Sequence, residues 1–270
     1  MPTCNFKKIK VNYTDTGRGR VIVLLHGFLG SSKIWNAFVK TLSKRYRIIT
    51  IDLPGHGETP AIGYYHSMEI LAQCVKAVLD NAKVRRYVLA GHSMGGYVAL
   101  AFAELYPDNV SGLCLFNSTS YADSDEKKRD RMRVINLVKK QHHHYVGEVV
   151  NSLFAPANLI RLAKDVNKMK RIANGVSAQS IVNSLEGMKE RKSRDLILKF
   201  AEYPVLFIIG KKDGVIDYET MYSQIGLCKY PSVLMLEESG HLGFCEAPAE
   251  TLKGLSNFVA LCYKKPSAWG

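Results

Sequence analysis

A serine between glycines is the clearest candidate for chemistry in this sequence. Ser93 stands at the centre of GHSMG, between a strand-like run, VLA, and a helix-like run, YVALAFAEL. A sharp strand-to-helix turn holds its central residue in a strained backbone conformation and points the side chain out of the sheet. Only small neighbours tolerate such a turn. The residues assigned to support it are Gly91, His92, Gly95 and Gly96. The pattern predicts that Ser93 is a nucleophile.

A serine hydroxyl is a weak nucleophile at neutral pH, so it needs a histidine base and a carboxylate that orients this base. We expect both partners to lie after later strands, in the order acid and then histidine. Asp213 follows the apolar run VLFIIG, and His241 follows SVLMLEES. We therefore predict Asp213 as the acid and His241 as the base. Asp217 stays open as an alternative acid, and a surface location stays open for His241.

The negative charge that develops on an attacked carbonyl requires two backbone N–H donors. Met94 follows the nucleophile directly and should supply one of them. The loop LHGFLGS should supply the other through Phe28, because Gly27 frees the backbone there. We expect His26 to hold this loop by hydrogen bonds, with a role as a base left as the alternative.

The elements that must position these residues alternate between strands and helices. Strand patterns cover residues 20–27, 47–57, 86–92, 110–120, 203–213 and 232–241, and helical patterns cover 31–46, 67–82, 94–107, 218–228 and 247–265. Continuous apolar strands separated by helices predict an α/β fold, in which helices cover both faces of a mostly parallel sheet. Residues 121–199 are helical and basic, without a convincing strand. We expect a core of residues 1–120 and 200–270, with 121–199 as an all-helical insertion.

The net charge of +13 is concentrated in the insertion. Residues 121–199 hold 17 Lys and Arg against nine Asp and Glu. Such an excess is most often a solvated helix face, and it could also attract an anionic substrate. No nucleic-acid-binding motif accompanies it, so we expect no nucleic-acid partner.

The chain shows no sign of export or membrane insertion. No apolar run approaches the roughly 18 residues of a membrane span, and MPTCNFKKIKVNY at the N-terminus lacks the apolar region of a signal peptide. We therefore expect a cytoplasmic protein whose six scattered cysteines are reduced. The oligomeric state is not readable from these patterns.

Five segments together resemble the α/β-hydrolase superfamily over nearly the whole chain: LLHGFLGSSKIW, IDLPGHGET, GHSMGGYVAL, GKKDGVI and ESGHLGFCEAP. They are most similar to the small capped bacterial enzymes, which include esterases, enol-lactonases, C–C bond hydrolases and the menaquinone-pathway synthase. The resemblance implies a helical cap between the sixth and seventh strands and a cofactor-free Ser–His–Asp mechanism. It supports the five residues predicted above and assigns Asp52, Gly55 and Gly57 to structural turns. Serine rather than aspartate at the nucleophile position argues against haloalkane dehalogenases and soluble epoxide hydrolases.

These observations predict a serine hydrolase that cleaves a carboxylic ester or lactone of a small or medium substrate, and an anionic substrate stays open. A C–C bond hydrolase or menaquinone-pathway-type lyase is the alternative, with cap arginines as carboxylate clamps. The candidate clamps are Arg129, Arg131, Arg133, Arg161 and Arg171. A non-catalytic small-ligand receptor with the same fold is the alternative from another class.

No metal site is predicted, because the three consecutive histidines 142–144 cannot easily converge on one ion. Dinucleotide and Walker fingerprints are also missing. The aromatic residues that could line an acyl pocket, or could simply pack, are Tyr64, Tyr65, Tyr145 and Phe154.

Overall fold

A computed structural model describes residues 2–264 of the 270-residue chain. These residues form an eight-stranded sheet in the spatial order β1-β2-β4-β3-β5-β6-β7-β8. The strands are β1 (Thr3–Phe6), β2 (Ile9–Thr16), β3 (Val21–Leu25), β4 (Arg47–Ile51), β5 (Tyr87–His92), β6 (Val110–Phe116), β7 (Val205–Gly210) and β8 (Pro231–Leu236). Strands β3 to β8 pair in parallel, and β1 and β2 pair antiparallel at one edge.

The β1–β2 hairpin has no counterpart among the strands predicted from the sequence. Its strands lie at the edge of the sheet and carry exposed polar residues, so they lack the continuous apolar runs of the central strands. By contrast, every residue of β3, β5 and β7 is buried. The hairpin leaves the predicted mostly parallel sheet intact, and the α/β fold class is confirmed.

Ten α-helices accompany the described strands. They are α1 (Asn36–Leu42), α2 (Met68–Asn81), α3 (Met94–Leu105), α4 (Asp125–Ser152), α5 (Ala163–Asn174), α6 (Ala178–Lys189), α7 (Asp195–Lys199), α8 (Tyr218–Ser223), α9 (Gly243–Glu246) and α10 (Pro248–Cys262). Crossovers between parallel strands are right-handed, and the sheet order reverses after β4. The crossover helix α1 therefore lies on one face of the sheet, and α2 and α3 lie on the other.

The segment between β6 and β7 contains only helices, α4 to α7, as expected for this insertion. Helix α4 contacts both α5 and α6, and it bends at Gln141, whose φ and ψ are −142° and 58°. Arg194 fastens the end of the insertion to the core by ion pairs with Glu69 and Glu104. The boundaries 1–120, 121–199 and 200–270 stay a prediction, and residues 1 and 265–270 lie outside the described part.

The elements are generally shorter than the sequence patterns that predicted them, as three of them show. The helix expected over residues 31–46 is a 3-10 turn followed by α1, and the helix expected over 218–228 stops at Ser223 before a second 3-10 turn. The last strand ends at Leu236 rather than at His241. This early end leaves a turn between β8 and α9, and that turn carries His241.

No helix in residues 2–264 combines the length and apolarity that a membrane crossing requires. All six cysteines are free thiols.

Candidate active site

Ser93 occupies the turn between β5 and α3 with φ 50° and ψ −117°, a conformation that L-residues rarely adopt. Two glycines make this turn possible by close approach. A Cβ at Gly95 would lie 2.5 Å from the carbonyl oxygen of Leu25, and a Cβ at Gly91 would collide with the Gly95 carbonyl. A Cβ at Gly96 would likewise collide with the side chain of Ser118. The glycines assigned to the turn are therefore required sterically.

His241 and Asp213 are brought together at the carboxyl edge of the sheet. The Nδ1 atom of His241 lies 2.7 Å from Oδ2 of Asp213, and both side chains are buried. Burial alone raises the pKa of the Asp213 carboxyl, but the His241 ring and hydrogen bonds from Val215 and Asn117 outweigh it and hold this pKa below its usual value. The rival acid Asp217 instead caps α8 by accepting a 2.7 Å bond from the Thr220 amide.

Asn117 is a residue of this site that the sequence reasoning missed. It follows β6 with φ 45°, and its Nδ2 donates to Asp213 Oδ2 at 2.8 Å and to the Gly240 carbonyl at 3.2 Å. Asn117 thus joins Asp213 to the loop that holds His241. A polar residue directly after a buried strand of a parallel sheet is the signal that could have found it.

The loop after β3 lies directly against Ser93. A Cβ at Gly27 would lie 3.1 Å from Cβ of Ser93 and 2.6 Å from Nδ1 of His92. Phe28 lines the same cavity as Ser93, and Met94 begins α3, where helix N–H groups have no intrahelical acceptor. Among residues 2–264, neither the Phe28 nor the Met94 amide donates a hydrogen bond to the protein. Both donors are thus available to a ligand.

Two histidines near the loop are bound to the backbone. His26 Nδ1 lies 2.8 Å from the Gly27 carbonyl, and its Nε2 accepts from the Leu53 amide at 3.0 Å. Both ring nitrogens of His26 are therefore engaged in holding the loop, and burial lowers its pKa. His92 donates from Nε2 to the His241 carbonyl at 2.8 Å, and burial lowers its pKa to about 3. The His92 ring is therefore neutral at pH 7, and its hydrogen bond holds the backbone at His241.

Ser93 and His241 open into a cavity of about 470 Å³ between the sheet and the helical insertion. Helices α4, α5 and α6, with the residue directly after α4, provide much of its apolar wall. The residues are Val134, Tyr145, Val149, Val150, Leu153, Met169, Ala173, Leu185 and Met188. Of the aromatic candidates, Tyr145 thus lines the cavity, Phe154 is buried in the core, and Tyr64 and Tyr65 are exposed. Such a volume and apolar wall suit a small organic ligand.

A charged cluster lies in the wall of this cavity. Asp123 pairs with Arg131 and also with Arg191, whose Nη1 lies 2.6 Å from Asp123 Oδ1. Arg191 stacks at 4.0 Å over the Tyr97 ring. Burial alone raises the pKa of Asp123, but the two guanidinium groups outweigh it and lower this pKa. Two guanidinium groups therefore share one carboxylate, which leaves the cluster of Asp123, Arg131 and Arg191 with a net positive charge.

Of the five arginines considered from the sequence, only Arg131 lines the cavity. The other four, Arg129, Arg133, Arg161 and Arg171, are exposed. Arg191 lines the cavity but was missed, because its position in the coil after α6 carries no pattern that distinguishes it from solvated lysines and arginines.

The consecutive histidines 142–144 follow the bend of α4. His142 Nε2 lies 2.9 Å from the Val176 carbonyl, and His143 Nδ1 lies 3.4 Å from Asn174 Oδ1. In the described part of the chain, no three His, Cys, Asp or Glu side chains cluster as metal ligands would.

The comparisons with known proteins agree with this architecture. A family model described as the alpha/beta hydrolase fold matches residues 20–248. The chain is 28% identical over 243 residues to the dihydrolipoyllysine-residue acetyltransferase component of the acetoin cleaving system of Pseudomonas putida, and this match covers 89% of the chain but only 64% of that protein. It is 33% identical over 205 residues to a putative 2-succinyl-6-hydroxy-2,4-cyclohexadiene-1-carboxylate synthase of Bacillus subtilis, covering 71% of the chain and 73% of the relative.

Among solved structures, the chain is similar to a malate-bound thermophilic esterase from Thermogutta terrifontis. The TM-score is 0.91 at 26% identity, and the match covers 97% of this chain and 98% of the esterase.

Proposed function

The chain belongs to the α/β-hydrolase fold family, and on this premise we propose that it hydrolyses carboxylic esters or lactones with Ser93 as the nucleophile. The family resemblance expected from the sequence motifs is confirmed by the match over residues 20–248. The observation that carries the proposal is the 2.7 Å contact between His241 and Asp213 beside the cavity into which Ser93 opens.

In the proposed reaction, His241 takes the Ser93 hydroxyl proton at Nε2 while Oγ attacks the carbonyl carbon of the substrate. Asp213 keeps the other proton of the ring on Nδ1 and stabilises the imidazolium that forms. The amides of Phe28 and Met94 donate to the carbonyl oxygen as it becomes negative. His241 then protonates the leaving alcohol, and the acyl group stays on Ser93.

A water molecule completes the cycle. His241 takes a proton from this water as its oxygen attacks the acyl carbonyl, and it returns that proton to Ser93 Oγ when the acid leaves. For a lactone substrate, the leaving alcohol and the acid are two ends of one product. We propose that residues 121–199 act as a cap over this chemistry, since α4 to α6 supply much of the cavity wall.

We further propose that the substrate carries negative charge. Arg131 and Arg191 share the carboxylate of Asp123 in the cavity wall, so an anionic group could bind there at lower electrostatic cost than in an apolar cavity. Two other carboxylates line the cavity, but Asp130 pairs with Arg133 and Asp217 caps α8. The similar Thermogutta terrifontis esterase binds malate, which is itself a dicarboxylate. Arg131→Gln should raise KM for an ester with a carboxylate in its acyl chain and leave KM for the uncharged ester of equal length nearly unchanged.

The same arginines favour one further candidate, a C–C bond hydrolase or a lyase of the kind named in the Bacillus subtilis relative. Both candidates would bind a carboxylate, but they differ in the bond that breaks. Parallel assays with carboxylated aryl esters and with carboxylated dienones distinguish them, because an esterase releases phenol and leaves the dienone intact.

The central experiment measures hydrolysis of a short p-nitrophenyl ester by the wild-type protein and by Ser93→Ala. We expect the wild type to be labelled once, on Ser93, by a fluorophosphonate, and the variant to lose both labelling and turnover. Ser256→Ala, on α10 outside the cavity, is the matched control and should behave as the wild type. Unchanged turnover in Ser93→Ala would exclude the proposed nucleophile. One acylation per chain without release would favour a ligand receptor.

A further inference from the structure

Glu246 is a buried carboxylate close to the proposed active site that the reaction does not use. It is 7% exposed and is the last residue of α9. Its two oxygens accept four hydrogen bonds from N–H groups of the protein. Burial of a carboxylate is costly unless donors surround it, and charged acceptors form shorter and stronger bonds than neutral ones. Glu246 is therefore a rigid connection between the segments that provide the donors.

One oxygen of Glu246 holds the loop that carries the proposed base. Oε1 accepts from the Gly240 amide at 2.9 Å and from the Leu242 amide at 3.3 Å. These two amides stand on either side of His241 in the chain. The backbone at His241 is thus held from both sides by a single carboxylate oxygen.

The other oxygen holds the helical insertion just beyond the end of α4. Oε2 accepts from the Ala155 amide and from Asn158 Nδ2, each at 2.8 Å. The same segment bonds directly to the loop, because the His241 amide donates to the Leu153 carbonyl at 2.8 Å. The approach is close, since a Cβ at Gly240 would lie 2.5 Å from the Ala155 nitrogen.

The segment that Glu246 holds is also a wall of the cavity. Val149 and Val150 near the end of α4, and Leu153 directly after it, line the space above Ser93. A shift of this wall would therefore act on Glu246 Oε2, and through Oε1 on the backbone at His241. Two segments that share one acceptor cannot move independently without breaking charged hydrogen bonds.

We propose that Glu246 is a positioning residue that couples the cavity wall at the end of α4 to the imidazole of His241. The inference rests on the proposed hydrolysis at Ser93, because it assigns Glu246 a role in placing the base of that reaction. Occupation of the cavity by a substrate then stabilises the end of α4, and this in turn keeps His241 in position for proton transfer.

The test measures kcat and KM for a p-nitrophenyl ester in four proteins: the wild type, Glu246→Gln, Asn158→Ala and the double variant. Each kcat is divided by the fraction of chains that a fluorophosphonate titrates, so that misfolded protein does not count. Glu246→Gln keeps the shape of the side chain but turns an NH2 group toward two donors. Glu250→Gln, at an exposed position of α10, is the matched control and should have wild-type kinetics.

We expect Glu246→Gln to lower kcat per titrated site about 10- to 100-fold, the size of effect that a small misplacement of a catalytic group produces. Asn158→Ala removes the side-chain donor of the insertion to Glu246, together with the Asn158 bonds to the Glu238 carbonyl and from Arg161, and it should lower kcat as well as raise KM. The double variant should be only slightly slower than Glu246→Gln alone, because the effect of Asn158 on His241 passes mainly through the Glu246 carboxylate.

Three results would overturn the coupling: a wild-type kcat per titrated site in Glu246→Gln, an effect of Asn158→Ala on KM alone, or losses that multiply in the double variant. Failure of the proposed function looks different. In that case the wild type itself is not labelled on Ser93, or Ser93→Ala retains its turnover, whatever the Glu246 variants do.

Discussion

Replacement of Asp213 by asparagine tests the proposed role of the acid most directly. The carboxylate accepts four hydrogen bonds. Oδ2 accepts from His241 Nδ1 at 2.7 Å and Asn117 Nδ2 at 2.8 Å, and Oδ1 accepts from the amides of Val215 at 2.8 Å and Ile216 at 3.1 Å. An amide side chain has only one oxygen, so its NH2 group must face one of these two pairs of donors.

The structure decides which pair the introduced NH2 group meets. Backbone amides cannot become acceptors, whereas an imidazole can move its proton to its other nitrogen, and the Asn117 side chain can turn its amide oxygen, which has no partner among the described residues, toward the new NH2 group. The NH2 group therefore turns toward His241, whose Nδ1 becomes the acceptor and whose Nε2 carries the proton. A protonated Nε2 cannot accept the hydroxyl proton of Ser93. We expect Asp213→Asn to lower kcat about 10⁴-fold, as in triads whose histidine has the wrong tautomer, which corresponds to about 5 kcal/mol of barrier.

The assay is steady-state hydrolysis of a p-nitrophenyl ester, with the rate of fluorophosphonate labelling as a second readout. Asp217→Asn is the matched comparison, since asparagine also caps helices well, and we expect it to change kcat by less than about threefold. A loss of less than tenfold in Asp213→Asn would refute the tautomer argument. An equal loss in both variants would remove the preference for Asp213 over Asp217.

Further predictions concern the elbow, the insertion and the response to pH. Gly95→Ala should abolish activity, because the new Cβ would lie 2.5 and 2.6 Å from the carbonyl oxygens of Leu25 and His26; near-wild-type turnover would contradict this. Gly147→Ala, where a Cβ in α4 meets nothing within 4 Å, should stabilise the fold by about 0.5–1 kcal/mol, and an unchanged or lower Tm would count against it. Burial lowers the pKa of His66 to about 4, so below its unfolded pKa of about 6.5 the unfolded chain binds a proton that the folded chain excludes. Stability should therefore fall as pH drops from about 6.5 to about 4. His66→Gln should reduce the slope of Tm against pH without abolishing it, because burial also lowers the pKa of His26, His56 and His92; a slope equal to that of the wild type would refute the contribution of His66.

Several features of the protein could be predicted because they depend on residues that are close in the chain. The elbow at Ser93 requires a strand, a helix and small residues within a few positions of the serine, and all of them are visible in GHSMGG. The central strands could be predicted for a related reason, since burial on both faces makes each one a continuous apolar run. The β1–β2 hairpin escaped prediction because an edge strand is partly exposed and lacks such a run.

The helical insertion shows where sequence patterns lose their power. Its excess of Lys and Arg is visible in the sequence, but a pattern of charges does not tell which guanidinium turns inward. Arg131 lines the cavity while Arg129 and Arg133, two positions away on either side, are exposed. Solvated and inward-facing arginines on one helix differ only in which neighbours pack against them.

By itself the sequence determined the α/β class, the parallel core, the helical insertion and the order in which Ser93, Asp213 and His241 occur. Each of these follows from local periodicity, local sterics or position at the end of a strand. Only the tertiary structure decided that Asp213 rather than Asp217 meets His241, that Asn117 bridges Asp213 to Gly240, and that Glu246 joins the loop of His241 to the cavity wall. These contacts join side chains to segments far away in the chain, so their partners are set by how the sheet and insertion pack in three dimensions.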